Sequence, residues 1–152
     1  MGDFSFQTGE WRVHHRKLSA RLVGAETWLT FSGTCRAFEV MAGEANVEDQ
    51  FLDDPAGPYR AATFRRQDPQ TGMWSIWWHD GRFGRLDPPV QGRFENGVGR
   101  FFAEDALDGR PIRVRFLWSD ITPASARWQQ AFSADGGVTW ETNWIMDFER
   151  VG

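Results

Sequence analysis

The chain is short of the residue types that most often carry chemistry or cross-links. A single cysteine, Cys35, excludes an internal disulfide and points to a reducing compartment. Three histidines, His14, His15 and His79, are too few for a His-rich metal set unless distant strands bring them together. Basic residues number 17 against 21 acidic ones, a net charge of −4, so there is no overall electrostatic footprint for nucleic acid. No apolar run is long enough to span a bilayer as a helix. The start, Met1-Gly2-Asp3-Phe4, has neither the basic nor the apolar region of a secretory signal, and Phe6 occupies the position where a myristoylation motif needs Ser or Thr. The expectation is a cytoplasmic protein with no membrane or nucleic-acid partner.

Flat rings are what the chain has in excess. It holds 9 Trp and 13 Phe beside one Tyr, with 41% hydrophobic and 25% charged residues, the balance of a folded globule. At 152 residues, one domain spanning positions 1–152 is expected. Turn signals recur at short intervals: Asp68-Pro69-Gln70-Thr71-Gly72, His79-Asp80-Gly81, Asp87-Pro88-Pro89, Glu95-Asn96-Gly97, Leu107-Asp108-Gly109 and Ala134-Asp135-Gly136-Gly137. Such spacing suits antiparallel hairpins rather than crossover helices.

Between these turns the residues alternate. Trp140, Thr142, Trp144, Met146 and Phe148 form one face of a last strand, Ile112, Val114, Phe116 and Trp118 one face of another, and Trp128, Gln130 and Phe132 one face of a third. Earlier strands are read at residues 10–18, 26–34, 44–52, 59–67, 73–79, 91–95 and 98–104. Helix is an option only at residues 3–9 and 36–49, the second fitting a bent strand slightly better. The expected architecture is all-β: an antiparallel meander of about ten strands, closed into a barrel to remove its edges, with at most one or two short helices.

Two segments at opposite ends of the chain resemble the calycin superfamily of lipocalins and fatty-acid-binding proteins. Phe6-Gln7-Thr8-Gly9-Glu10-Trp11 resembles the G-x-W element of the first barrel strand, and Phe148-Glu149-Arg150 resembles the last strand, whose Arg covers that Trp. Physically, a guanidinium can stack on the π face of Trp11 while donating to nearby carbonyls. More narrowly, Gly9-Glu10-Trp11, Gly109-Arg110-Pro111-Ile112, Trp128-Gln129-Gln130-Ala131-Phe132-Ser133 and Thr139-Trp140-Glu141-Thr142-Asn143-Trp144 resemble an uncharacterised group of small bacterial barrel proteins. That likeness implies a fold and no activity. Nitrobindin-type relatives ligate haem through a His near the C-terminal end; this chain has none after His79, so no cofactor is expected.

Ser133-Ala134-Asp135-Gly136-Gly137-Val138-Thr139-Trp140 matches the Asp box of sialidases, a hairpin device in which Asp135 accepts backbone N–H groups and Trp140 packs beneath. It is read as structural. No nucleophile elbow, phosphate loop or paired-cysteine motif occurs, and the adjacent carboxylates Glu48-Asp49 and Asp53-Asp54 are expected to be solvated. No catalytic or metal site is assigned.

A ligand cavity asks for less: apolar walls and a few polar groups. The inward phases supply Trp78, Phe116, Trp118, Trp128, Trp144 and Met146 as wall, with His15, Gln130 and Thr142 as polar handles. Met73-Trp74-Ser75-Ile76-Trp77-Trp78 is apolar on both faces, so its outer face should be covered by the segment around Phe4 and Phe6 or by a second subunit in a homodimer. The functional expectation is binding of a small apolar or aromatic ligand inside the barrel. Its rivals are an enzyme using His15 as acid or base, and a filled barrel that works through its surface.

Overall fold

The computed structural model describes residues 3–152; Met1 and Gly2 lie outside the described residues. Ten antiparallel strands follow a short 3-10 turn, Ser5–Gln7: β1 Gly9–Leu18, β2 Trp28–Val40, β3 Ala45–Leu52, β4 Tyr59–Gln67, β5 Trp74–Asp80, β6 Val90–Glu95, β7 Val98–Leu107, β8 Arg110–Ser119, β9 Ser125–Ser133 and β10 Glu141–Arg150. Each pairs with its neighbours in sequence, and β10 pairs back onto β1, closing the barrel. The all-β meander read from the turns and alternation is the architecture observed.

Local chemistry explains the corners. Asn96-Gly97 and Asp108-Gly109 take positive φ at both positions, 53°/77° and 50°/79°, as two-residue hairpin turns between right-twisted strands require. The ambiguous 36–49 stretch is neither a helix nor one bent strand. β2 runs on to Val40, and a second 3-10 turn, Met41–Gly43, with Met41 and Ala42 both at φ 55°, starts β3.

One end is a sealed floor. Trp11 lies opposite Arg150 in the β1–β10 register, and the guanidinium sits 4.2 Å from the centroid of the indole. Arg150 donates to the carbonyls of Thr8 (2.7 Å), Phe6 (2.6 Å) and Pro123 (2.8 Å), while the Trp11 indole N–H donates to the Gln7 carbonyl at 2.8 Å. This is the arrangement that the calycin resemblance implies. It also corrects one expectation: Phe4 does not cover the outer wall but is buried inside the floor, edge-on to Trp74 and Phe94 at 4.9 and 5.0 Å.

Above the floor, part of the barrel is built inside out. Asn46, Glu48 and Gln50 on β3 and Thr63 and Arg65 on β4 point inward and are buried. Glu48 is therefore not a solvated carboxylate. Its Oε1 meets Arg65 Nη2 at 2.7 Å and accepts from Gln7 Nε2 at 3.0 Å; Gln50 donates to its other oxygen, and Arg65 also reaches Asn46 Oδ1 at 3.1 Å. The Arg65 guanidinium lies against two rings, 4.7 Å from Phe4 and 5.5 Å from Trp118. A space of about 20 Å³, water-sized, remains beside this network. Asp54 likewise is buried, 3.9 Å from Lys17 Nζ.

The inverted pattern has an outer counterpart. Phe38, Val47, Phe64 and Trp77 are successive register partners across β2, β3, β4 and β5, forming an apolar row on the outside wall. Phe38 and Phe64 remain 45% and 37% exposed. No described segment of the chain covers them.

Breaking the interior ion pair from one side strands a buried charge, a loss of about 3–5 kcal/mol. Glu48→Leu is therefore expected to lower the melting temperature by roughly 10 °C, and Asp49→Leu, its exposed neighbour, hardly at all, in a thermal unfolding experiment.

Candidate functional site

The strand directions place Lys17, Asp80, Val90, Phe132 and Glu141 at the end away from the Trp11 floor, and there the barrel is hollow. A cavity of about 280 Å³ opens at this mouth. Its apolar walls are Trp78 and Ile76 from β5, Val114 and Phe116 from β8, Phe132 from β9 and Trp144 from β10; its polar lining includes Lys17, Arg21, Asp80, Arg82 and Gln130. β5 and β6 pair only through Trp74–Gly92, Ser75–Gln91 and Ile76–Val90, so the two strands diverge toward the mouth and Phe83, Asp87 and Pro88 of their connection edge the opening.

Trp144 is the hub. It stands edge-on to Trp78 at 5.6 Å and to Trp128 at 5.4 Å, with Lys17 Nζ 4.3 Å from its ring centroid. Its indole N–H donates to His15 Nδ1 at 3.0 Å, and His15 is stacked on Phe31 at 4.6 Å. That bond requires a lone pair on Nδ1, hence a neutral imidazole with its proton on Nε2. Burial, helped by the Lys17 cation, lowers the His15 pKa to about 3. His15 thus fixes the orientation of a wall residue from behind and does not itself line the cavity. The geometry gives it no position for acid or base work on a bound molecule.

A bulge in β10 decides the polar handles. Register passes from Thr142–Ala131 to Trp144–Gln130, so Asn143 is the extra residue and the alternation reverses there. Trp144, Met146 and Phe148 point inward as the period of two implies, but Thr142 shares the outward face of Ala131. Thr142 is therefore not a handle in the cavity, and the unbroken face read from Trp140 to Phe148 is wrong at its first two members. Trp140 lies outside, its indole N–H donating to Gly137 at 3.1 Å and its ring 4.6 Å from the Arg115 guanidinium. Asn143, which alternation assigns outward, is fully buried and accepts from Gln130 Nε2 at 2.9 Å. Gln130 is thereby left with its carbonyl oxygen as the free acceptor.

The remaining sequence-selected residues divide by depth. Trp78 and Phe116 line both the mouth cavity and the small inner space; Trp118, Trp128 and Met146 line only the inner space. The aromatic set read as one wall is in fact a wall above and a filling below. Asp135 performs the turn role assigned to it: it accepts from the N–H groups of Val138 (3.1 Å) and Thr139 (2.9 Å) and from the Ser133 hydroxyl (2.7 Å). These bonds, that of the Thr139 hydroxyl foremost, hold its carboxyl well below the usual carboxylate range.

Sequence reasoning missed the charged rim. Lys17 carries a usable signal, being two residues beyond His15 on the inward phase of β1. Arg21, Tyr59 and Arg82 are gathered only by the closure: Arg82 lies 3.8 Å from the Tyr59 ring centroid, and Arg21 lies 5.1 Å from that of Phe132. Burial pushes the Tyr59 hydroxyl up to about 12 and lowers the pKa of Lys17. Cys35, beside Gln7 at the floor, is buried and its thiol is raised by the same cause, so it is not a nucleophile of this site. Among the described residues no three His, Cys, Asp or Glu side chains converge as a metal set.

Neither a protein-family model nor a curated protein matches the chain. Among solved structures it is similar to the S-type phycobiliprotein lyase of Guillardia theta, with a TM-score of 0.61 and 10% identity over 98% of this chain and 90% of that one. At that identity the likeness shows the fold alone, in agreement with the closed antiparallel barrel. The narrower resemblance to small bacterial proteins receives no support from it.

His15 supplies a pH test. Its folded pKa lies below the unfolded value near 6.5, so its contribution to stability is present above pH 6.5 and is lost as pH falls toward 3. Between pH 7.5 and 5 the unfolding free energy should fall by about 2 kcal/mol on this account, and His15→Gln should flatten that slope in urea titrations.

Proposed function

We propose that the chain binds a small, largely aromatic molecule in the mouth half of the barrel. The observation that carries this reading is the division of the interior. The lower half is packed with rings and a buried Glu48–Arg65 ion pair, whereas the upper half is an open cavity of about 280 Å³ with indole and phenyl walls. A barrel that only needed stability would gain by filling that volume. Trp144, locked by His15 and braced by Trp78, is a pre-set flat wall, which reduces the ordering cost of binding. The free carbonyl oxygen of Gln130 supplies a directional contact of the kind that fixes ligand orientation.

The apolar row Phe38, Val47, Phe64 and Trp77 favours one addition, that two copies pack through this outer face. Its partners are strand neighbours on a continuous wall, and the exposed Leu86 lies at its edge. Such a homodimer leaves both mouths open. A buried, unpaired thiol at Cys35 suits a cytoplasmic setting for it.

Native mass spectrometry of freshly purified protein, compared with the denatured mass, is expected to show a reproducible small adduct. Ala103→Trp, which fills the cavity from β7, should abolish the adduct while leaving the melting temperature nearly unchanged. Absence of an adduct, together with no thermal shift from any aromatic probe, would defeat the binding reading. For the dimer, sedimentation at micromolar concentration should give twice 17.5 kDa, and Phe64→Glu should return the monomer.

A further inference from the structure

Three cations line the mouth cavity, and two of them are already matched. Lys17 has Asp54 at 3.9 Å, and Arg82 is held by Asp80 through Nε–Oδ1 at 3.0 Å and Nη2–Oδ2 at 2.7 Å. Arg21 has no ion pair or hydrogen bond with any described residue. The carboxylate beside it, Glu141, instead accepts from the Leu22 N–H at 2.6 Å. Arg21 is held over the Phe132 ring, and none of its nitrogens is sealed from solvent space. Burial lowers its pKa and that of Lys17, whose cation it also opposes, while Tyr59 and Glu141 favour the Arg21 charge and Asp54 that of Lys17.

Two further carboxylates of the cavity lining lie across from it. Asp87, in the β5–β6 connection, and Asp105, on β7, are exposed, and β7 is separated from β1 by β10, β9 and β8 around the barrel. The cavity is thus polar in the electrical sense: a cation without a partner on the β1 side, carboxylates in water on the far rim, and aromatic walls between. A guanidinium offers paired N–H donors that match a carboxylate, and that match strengthens where water is reduced. The volume suits one or two fused rings, being larger than the roughly 150 Å³ that accommodates benzene and just under the ~300 Å³ at which drug-sized pockets begin.

We propose that the mouth cavity selects a small planar aromatic carboxylate, its carboxylate held by Arg21 and its ring laid against Trp144. This rests on the binding reading above and adds the charge and the orientation. The Gln130 carbonyl oxygen then favours ligands that carry a hydroxyl or N–H donor on the ring.

The test is calorimetric titration of the full chain with naphthoate, its neutral isostere naphthamide, and naphthylmethylammonium. Naphthoate is expected to bind at least about tenfold tighter than naphthamide, and to weaken as salt rises. Arg21→Gln should reduce naphthoate to the level of the amide and Arg21→Lys should retain part of the preference. Arg12→Gln, at an exposed ion pair on the outer wall, should leave the preference intact. Equal binding of naphthoate and naphthamide, stronger binding of the ammonium, or a preference that survives Arg21→Gln would overturn the carboxylate assignment while the binding reading stands. No binding of any of the three would overturn both.

Discussion

The contact between Arg150 and Trp11 is the constraint on which the rest of the molecule depends. Ten strands joined by short hairpins make a ribbon with two edges, and the ribbon becomes a barrel only where β10 meets β1. At that seam one side chain does three things: it stacks on the indole, caps the carbonyls of Thr8 and Phe6 at the start of the chain, and ties down the β8–β9 connection through Pro123. Because the guanidinium is anchored at both ends of the sequence, the 3-10 turn at Ser5–Gln7 is held across the floor, and Phe4 is carried into the interior. Closure at the floor sets the register, and the register sets which residues meet at the mouth.

Closing the floor with rings leaves a problem that the β3–β4 hairpin resolves in an unusual way. Asn46, Glu48, Gln50 and Arg65 occupy inward positions where apolar residues would be expected, and their charges cancel within a network that includes Gln7 from the floor turn. The network links the floor to the wall by directional bonds, so the packed half is specified by geometry as well as by volume. The same inversion places Val47 and Phe64 on the outside, beside Trp77 of β5. A polar interior and an apolar exterior in this quarter of the barrel are thus one feature seen from two sides.

The mouth inherits its rigidity from below. Trp144 is positioned by the bulge at Asn143, which turns both residues inward and lets Asn143 orient Gln130. His15, neutral because it is buried, accepts from the Trp144 indole and holds the ring upright. The cavity wall is consequently pre-formed, and Arg21, which has no ion pair or hydrogen bond with any described residue, lines the same cavity. Electrostatic asymmetry and a fixed aromatic face together are what distinguish this cavity from an unfilled gap.

Composition, turn chemistry and the period of two determined the architecture. Asn96-Gly97 and Asp108-Gly109 need hairpins whatever surrounds them, and Trp11 with Arg150 carries enough of the calycin pattern to predict closure, because these signals are local or lie at the two ends that must meet. The aromatic positions Trp78, Phe116 and Trp144 were legible as inward for the same reason. What alternation could not supply was the phase after an extra residue: the bulge at Asn143 removed Thr142 from the interior and turned Trp140 outward. Nor could it reveal that Glu48 faces Arg65, since a carboxylate reads as solvated until a strand far away in sequence brings its counter-charge. The gathering of Lys17, Arg21, Tyr59 and Arg82 at one mouth was decided by tertiary structure alone, because an electrostatic site is made by distances across the barrel, and those exist only once it has closed.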